Sequence, residues 1–454
     1  MSKVTLRTWL IFILVGLAGQ FAWAIENMYL NSYIAYLNFK APSEYRFDYS
    51  LMISLTTAVS ACVASLTTIF IGALTDKIGK KKLFISAGYI LWGISTACFG
   101  LFNVNSDAGI KFNITPYLAA VFVIVFDAVM TFFGSASNDA TFNSYVTENT
   151  DESKRGKVEN VLSILPLLSM MIIFGGLNFL TTEKEGYRWD LFFYLVGGFV
   201  VLVGIISIFL IPKEKKKRND LSIFSLIYGT VKVKEIKKNK KLYLLFIIYF
   251  IFSLSCQIFF PYIMIYVEKT CQISNNSSSF LTDFTLVMFI SLLSGSLLSL
   301  IYGFLADKYG KDKMIIPTLL TYCTGCVMMY FIPLVSSSFK MFYSIISIIV
   351  MIIGYVSVPT IINSLVRENI PKGQEGSFLG VRMLFVVLLP MSTGPFIGNY
   401  LNSFKDNYYD EFNIKSNLPN ELAYLVAASV IILTIVPLFF YFREKKRGDV
   451  IYGK

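Results

Sequence analysis

Four ionisable residues stand inside long apolar runs of this chain: Glu26, Asp127, Asp139 and Arg382. A charge in hydrocarbon costs several kcal/mol unless it faces a partner or a water-filled cavity, so each is a candidate for chemistry. At about 1.5 Å per residue, Glu26 and Asp127 both fall roughly 5 Å to the outer side of the midpoints of their runs. Two carboxylates at one level in low dielectric do not both ionise readily, which suits a device that takes up and releases a proton. Separate structural hydrogen bonds are the other reading of the pair. Asp139 falls roughly 12 Å to the inner side, and Arg382 sits at a similar or slightly shallower level. For these two, an inner ion pair or gate contact and a direct part in transport both stay open. Asp283 lies near the outer end of its run, can reach water, and is read as structural.

Polar residues gather around Glu26 at helical spacing. Gln20, Trp23, Asn27 and Asn31 follow one track, Gly19, Glu26 and Tyr33 another. Asn138, Asn143, Gln257, Thr360 and Asn363 add donors and acceptors in three other runs. Aromatic faces with amides suit a hydroxyl-rich ligand, stacked on Trp23 and hydrogen-bonded around its rim. Aromatics make up 16% of the chain, so Trp23 also reads as packing. No lysine or arginine stands at mid-depth in the runs proposed to line a cavity. Phosphate, sugar-phosphate and dicarboxylate cargo are thereby disfavoured, and neutral or cationic solutes remain.

Histidine is absent, which removes the commonest zinc ligand and the usual neutral-pH acid–base group. The six cysteines, at 62, 98, 256, 271, 323 and 326, have no disulfide-framework spacing. Cys323 and Cys326 form a C-x-x-C inside an apolar run with no second pair, and read as small packing residues. No metal, no organic cofactor and no enzymatic activity is expected. The expected coupling ion is H+, with Na+ open.

The elements that must position these residues are membrane spans. The chain is 55% hydrophobic and only 15% charged, more apolar than one soluble core can bury. Residues 191–212 run without a charge, long enough to cross a hydrocarbon core of about 30 Å. Twelve spans are predicted: 8–37, 50–75, 83–103, 116–145, 158–181, 190–212, 241–267, 280–306, 314–335, 340–366, 376–401 and 421–442. The first is too long, and lacks a small-residue cleavage site, to be a cleavable signal. The net charge of +11 follows membrane topology rather than nucleic acid. With the N-terminus inside, 31 of the 40 Lys and Arg fall on the inner side, which predicts cytoplasmic termini and an even number of spans. The basic segment 213–240 divides an N-terminal bundle, 1–212, from a C-terminal bundle, 241–454. Its Leu221, Phe224, Tyr228 and Val231 recur at helical spacing, fitting a helix on the lipid face or a solvated linker. The expected partners are a small solute and the lipid bilayer, with the protein a monomer in the cell membrane.

The chain repeats itself. "GALTDKIGKKK" (72–82) joins spans two and three, and "GFLADKYGKDK" (303–313) joins spans eight and nine. Both carry Gly-x-x-x-Asp-Lys-x-Gly-Lys: Gly72, Asp76, Lys77, Gly79 and Lys80, then Gly303, Asp307, Lys308, Gly310 and Lys311. "NSYVTEN" (143–149) after span four returns as "NSLVREN" (363–369) after span ten. More loosely, "GKVENVLSILP" (156–166) and "GVRMLFVVLLP" (380–390) share their first Gly and last Pro. Two six-span halves related by a parallel repeat are implied. The glycines allow close helix approach and a tight turn, the aspartates can cap a helix or pair with a base, and the lysines suit lipid phosphates.

These paired turns resemble the loop signature of the major facilitator superfamily, over the whole chain. The resemblance implies an all-α integral membrane protein, twelve transmembrane helices in two pseudo-symmetric six-helix bundles around a central cavity. Spans 1, 4, 7 and 10 would line that cavity, and the turns, with Arg382, would latch the inner face. "GQFAWAIENMYL" (19–30) and the stretch 138–161 look like the glycoside/pentoside/hexuronide–cation and sucrose–proton symporters, with Asp139 at the place of a span-four carboxylate. Sodium-coupled members of that branch carry two aspartates in span two, where this chain has none before Asp76. The expected function is proton-coupled transport of a small polar solute, a sugar or glycoside. Rival readings are an exporter of drugs or organic cations, a multispan lipid-handling enzyme and a non-transporting sensor.

Overall fold

The computed structural model describes residues 5–39, 41–42, 45–102, 114–150, 155–181, 187–212, 239–273, 283–370, 381–405, 408–409 and 415–451. Twelve long helices run through them. In chain order they are α1 (Leu6–Phe39), α2 (Tyr49–Ile78), α3 (Lys81–Cys98), α4 (Pro116–Glu148), α5 (Arg155–Gly176) and α6 (Trp189–Leu210). After these come α7 (Lys240–Thr270), α8 (Asp283–Tyr309), α9 (Lys311–Phe331), α10 (Ser337–Asn369), α11 (Val381–Asn402) and α12 (Leu422–Lys446). The strands among the described residues are β1 (Tyr408–Tyr409) and β2 (Lys415–Ser416), paired antiparallel.

Eleven of the helices are long and apolar enough to cross a membrane; α5 falls short of the twelve predicted. Arg155, Lys157 and Glu159 occupy its first turns, so its apolar stretch is only Ile164–Gly176. The segment 213–238, with the surface-helix reading of Leu221 to Val231, lies outside the described residues.

Short polar signals set the helix ends. The Asp48 carboxylate accepts from Leu51 N at 3.0 Å to start α2, and Thr115 with Pro116 starts α4. Gly79 and Gly310 end α2 and α8 with φ of 66° and 95°, a backbone other residues adopt only with strain. Four helices are interrupted by π-helical turns: Ile25–Tyr29 in α1, Ser135–Phe142 in α4, Tyr266–Thr270 in α7 and Leu384–Leu388 in α11. Pro261 adds a tight turn, Phe260–Tyr262, to α7, since it cannot donate to the helix ladder.

The helices form two compact units that divide near residue 223. In the first, α3 packs on α4 and α6, α1 on α5 and α6, and α2 on α4. In the second, α10 packs on α8 and α9, and α7 on α11 and α12. One contact recurs in both. A Cβ added at Gly134 would lie 2.7 Å from the Trp92 ring, and one at Gly354 would lie 2.4 Å from Tyr322 Cα. Each glycine stands nine residues before the Asn of its own N-S-x-V-x-E-N copy, so it holds the same place in each unit. A side chain there would force the two helices apart.

Candidate functional site

The first unit gathers its acids where α1 and α4 are π-helical. Glu26 lies in the π turn of α1 and Asp139 in that of α4, while Asp127 lies about three turns before Asp139 on α4. A π turn widens the helix and turns side chains off the α-helical track, and such turns gather at functional sites. Glu26 is buried with Asp127, Thr131 and Asp139 around it. Asp127 is fully buried, and its Oδ2 accepts a hydrogen bond from Ser60 Oγ of α2. Glu26 Oε2 and Asp127 Oδ1 are buried without a hydrogen-bond partner, and the Thr131 hydroxyl stands within reach of the Glu26 carboxyl. Buried polar atoms are ordinarily satisfied, so two such oxygens mark a place that can accept a proton, water or solute.

Asp139 is oriented by Ser135 Oγ and by Asn138 Nδ2, each at 3.1 Å. Asp139 lies within electrostatic range of Glu26, and both acids lie in π turns. Tyr89 of α3 donates to Asn138 Oδ1 at 2.8 Å, and its ring abuts Trp92, 5.4 Å between centroids. Trp92 in turn meets Trp23 edge-on at 5.1 Å. Trp23 is therefore packed against a neighbouring ring on one side and half-buried overall.

Several of the polar side chains expected near a solute also bond to protein. Asn27 Nδ2 donates to Trp23 O and Asn31 Nδ2 to Asn27 O, supporting carbonyls next to the π turn. Asn143 is exposed and donates to Asp139 O; Thr360 donates to Val356 O of its own helix. Asn138 uses both ends of its amide on Tyr89 and Asp139. Gln20 and Gln257 are half-buried on α1 and α7.

In the second unit, Arg382 is the charged residue at the start of α11. Its Nε donates to Asn363 Oδ1 of α10 at 3.1 Å, and its guanidinium carbon stands 5.7 Å from the Tyr249 ring centroid of α7. Asn363 Nδ2 reaches the Tyr249 hydroxyl at 3.3 Å. Three helices meet in this cluster.

The signature turns also take a form the sequence did not foretell. Lys81, one residue beyond the shared motif, is buried and pairs with Glu148 at 2.7 Å and Ser144 Oγ at 2.5 Å. Lys311 pairs with Glu368 at 2.5 Å. In each unit an ion pair thus joins the two sequence echoes. Asp307 is exposed and makes no hydrogen bond or ion pair among the described residues; the paired acid of its turn is Asp312, which accepts from Tyr441 and Lys445 of α12. The side chains of Asp76 and Lys77 lie outside the described residues. Lys80 is exposed, and Lys308 lies 5.2 Å from the Tyr309 ring centroid. Close approach at the first glycine of the motif is absent: a Cβ on Gly303 would meet nothing within 4 Å, and one on Gly72 only Ala140 at 3.9 Å. The tight turn at Gly79 and Gly310 is what the motif's glycines provide.

Ser60, Thr131, Tyr89, Trp92 and Tyr249 complete these clusters and were not singled out in the sequence. Thr131 alone carried a signal, one helical turn after Asp127.

The sequence pattern of the Major Facilitator Superfamily matches residues 8–395, and again 281–451. The chain belongs to the major facilitator superfamily. It is accordingly a multi-pass membrane transporter of small solutes. No curated protein matches its sequence. Among solved structures of the superfamily's fold, the nucleoside transporter NupG superposes with a TM-score of 0.64 at 13% identity, over 95% of this chain and 98% of that one. A point mutant of NupG gives 0.65 at 13% identity, over 95% and 99%. A bacterial homologue of the human lysosomal transporter Spinster, inward-facing and unoccupied, gives 0.64 at 13% identity over 97% of both chains. At that identity the likeness is one of fold.

Proposed function

We propose that this superfamily member moves a small polar solute, a sugar or glycoside, by proton-coupled alternating access. The observation that carries the coupling is the unpartnered, buried Glu26 Oε2 beside Asp127 and Asp139. Carboxylates crowded in low dielectric cannot all hold charge, so closure of the site over them favours a retained proton. Ser60 and Thr131 offer hydroxyls along which that proton is held or passed. Trp23 and Gln20 of the first unit supply a ring face and an uncommitted amide for a hydroxylated cargo. A nucleoside, the cargo named for NupG, is itself a glycoside. The likeness of 19–30 and 138–161 to the glycoside/pentoside/hexuronide–cation and sucrose–proton symporters supports the same class.

The protein works as a monomer in the cell membrane with both termini cytoplasmic, the basic residues of both signature turns lying at the inner lipid face. The turns and their ion pairs act as latches on that face. H+ is the coupling ion and Na+ the rival, since hydroxyls and carboxylates also suit a hard cation. The half-buried ring of Trp23, on the same helix as Glu26, favours a second reading, export of organic cations.

Uptake into proteoliposomes under an imposed proton gradient, against a panel of sugars, glycosides, nucleosides and organic cations, tests these readings. Proton-driven accumulation of a hydroxylated solute, abolished by a protonophore and indifferent to sodium, supports the first. Proton-driven efflux of organic cations alone would replace it with the second.

A further inference from the structure

Arg382 stands in a setting that the proton-coupling site does not explain. It opens the described part of α11, and its neighbours come from two other helices: Asn363 of α10 on its Nε, Tyr249 of α7 under its guanidinium. Asn363 is itself pinned by the Tyr249 hydroxyl. One edge of the guanidinium is therefore fixed by an amide and one face by a ring. Among the described residues no carboxylate pairs with it, and the Nη1 and Nη2 edge carries no hydrogen bond. A planar guanidinium held this way presents two parallel N–H donors, the geometry that matches an oxyanion in bidentate fashion.

The repeat sharpens the point. In the looser echo that aligns Gly156 with Gly380, the place of Arg382 is held in the first unit by Val158, which is buried and apolar. The fold is thus built at this position without a charge, and the second unit has added one. Anionic cargo is disfavoured by α1, α4, α7 and α10 taken alone, which carry no base at mid-depth. Folding delivers a base from α11 onto α7 and α10.

We propose that Arg382, oriented by Asn363 and Tyr249, forms an oxyanion subsite that receives a single carboxylate on the transported solute. The proposal rests on the transport reading and narrows it. A cargo with one negative charge, carried with a proton from the acids of the first unit, would cross as a neutral sum. Arg382 is then a specificity residue that separates acids from otherwise equal neutral solutes. The same donors would fit the phosphate of a lipid headgroup, so the test separates the two sources.

Purified full-length protein in detergent is treated with phenylglyoxal, and modification of Arg382 is followed by peptide mass spectrometry. The probes are gluconate, its neutral counterpart glucitol, lactate, inorganic phosphate and a short-chain phosphatidylglycerol. Gluconate or lactate should slow modification of Arg382 about tenfold, with glucitol without effect. Arg382→Gln should lose the thermal stabilisation by the protecting acid while Arg382→Lys keeps part of it. Tyr249→Phe, which retains the ring, should weaken protection without abolishing it, and serves if Arg382→Gln does not fold. Equal effects of gluconate and glucitol, protection by phosphatidylglycerol alone or by inorganic phosphate alone, no protection by any probe, or an Arg382 that never reacts would each overturn the subsite. Stabilisation by neutral sugars with no protection at Arg382 would leave the transport reading standing while this proposal falls.

Discussion

The two units carry the same turn and the same helix-end motif, yet they use them differently. In the first, the lysine that reaches the helix-end glutamate is Lys81, whose side chain is 5% exposed against 62% for Glu148. In the second it is Lys311, one register position earlier, 31% exposed against 54% for Glu368. The position matching Lys81 is Asp312, an opposite charge that binds Tyr441 and Lys445 instead. The interiors diverge as well: the first unit buries acids on α1 and α4, and the second places Arg382 among Asn363 and Tyr249. Duplication has kept the frame, the glycine–aromatic seat and the ion pair between echoes. Charge has been redistributed on top of it. The framework is thus separable from the chemistry, and each can be broken without the other.

The largest expected effect comes from the acid half. Glu26→Gln should lower the accumulation ratio of cargo at least about tenfold while counterflow exchange, which needs no net proton movement, persists. Vesicle uptake measured both ways decides it; full accumulation by the variant would remove Glu26 from coupling. Next come the paired glycines. Gly354→Ala and Gly134→Ala should each cost about 1–3 kcal/mol of stability, read as a fall in melting temperature. Gly354→Ala should be the worse, because it meets backbone atoms of Tyr322 where Gly134 meets a ring edge. Equal tolerance at both would show that the shared seat is not needed.

The ion pairs should differ in the same measurement. Glu148→Gln leaves a buried ammonium with Ser144 as its remaining named partner and should cost about 2 kcal/mol. Glu368→Gln, at a more exposed pair, should cost under about 1 kcal/mol. A reversed order would mean that burial does not distinguish the two turns. Asp312→Asn should fall between these two variants, at about 1 kcal/mol, since its side chain is 20% exposed and its hydrogen bond to Tyr441 survives in part.

Much of the frame was legible because membrane spans and internal repeats are written as composition and spacing. The apolar runs, the charged turns and the paired N-S-x-V-x-E-N segments each carry their own signal. α5 carries the weakest span signal, because a helix starting Arg155-Gly-Lys157 keeps its apolar stretch to Ile164–Gly176. The site was less legible. Glu26 and Asp127 stood out as charges in the wrong solvent. The π turns that carry Glu26 and Asp139 leave no mark on an apolar pattern. The protein hydrogen bonds of Asn27, Asn138 and Asn143 were not legible because an amide bonded to its own helix and one facing a cavity are identical in sequence. Tyr249 could not be linked to Arg382 because no periodicity relates residues on α7 and α11.

The two turns also differ in when they can close. The partner of Lys81 at Ser144 lies 63 residues downstream, whereas Tyr441 and Lys445 lie 129 and 133 residues beyond Asp312. A nascent chain entering the bilayer can fasten the first turn once α4 has been inserted. The second must hold its aspartate unfastened through the synthesis of α10 and α11, until α12 arrives. Long-range contacts of this kind form late, and species that wait for them are prone to misassembly. Asp312 is thereby paired only once the helix carrying Tyr441 and Lys445 has docked.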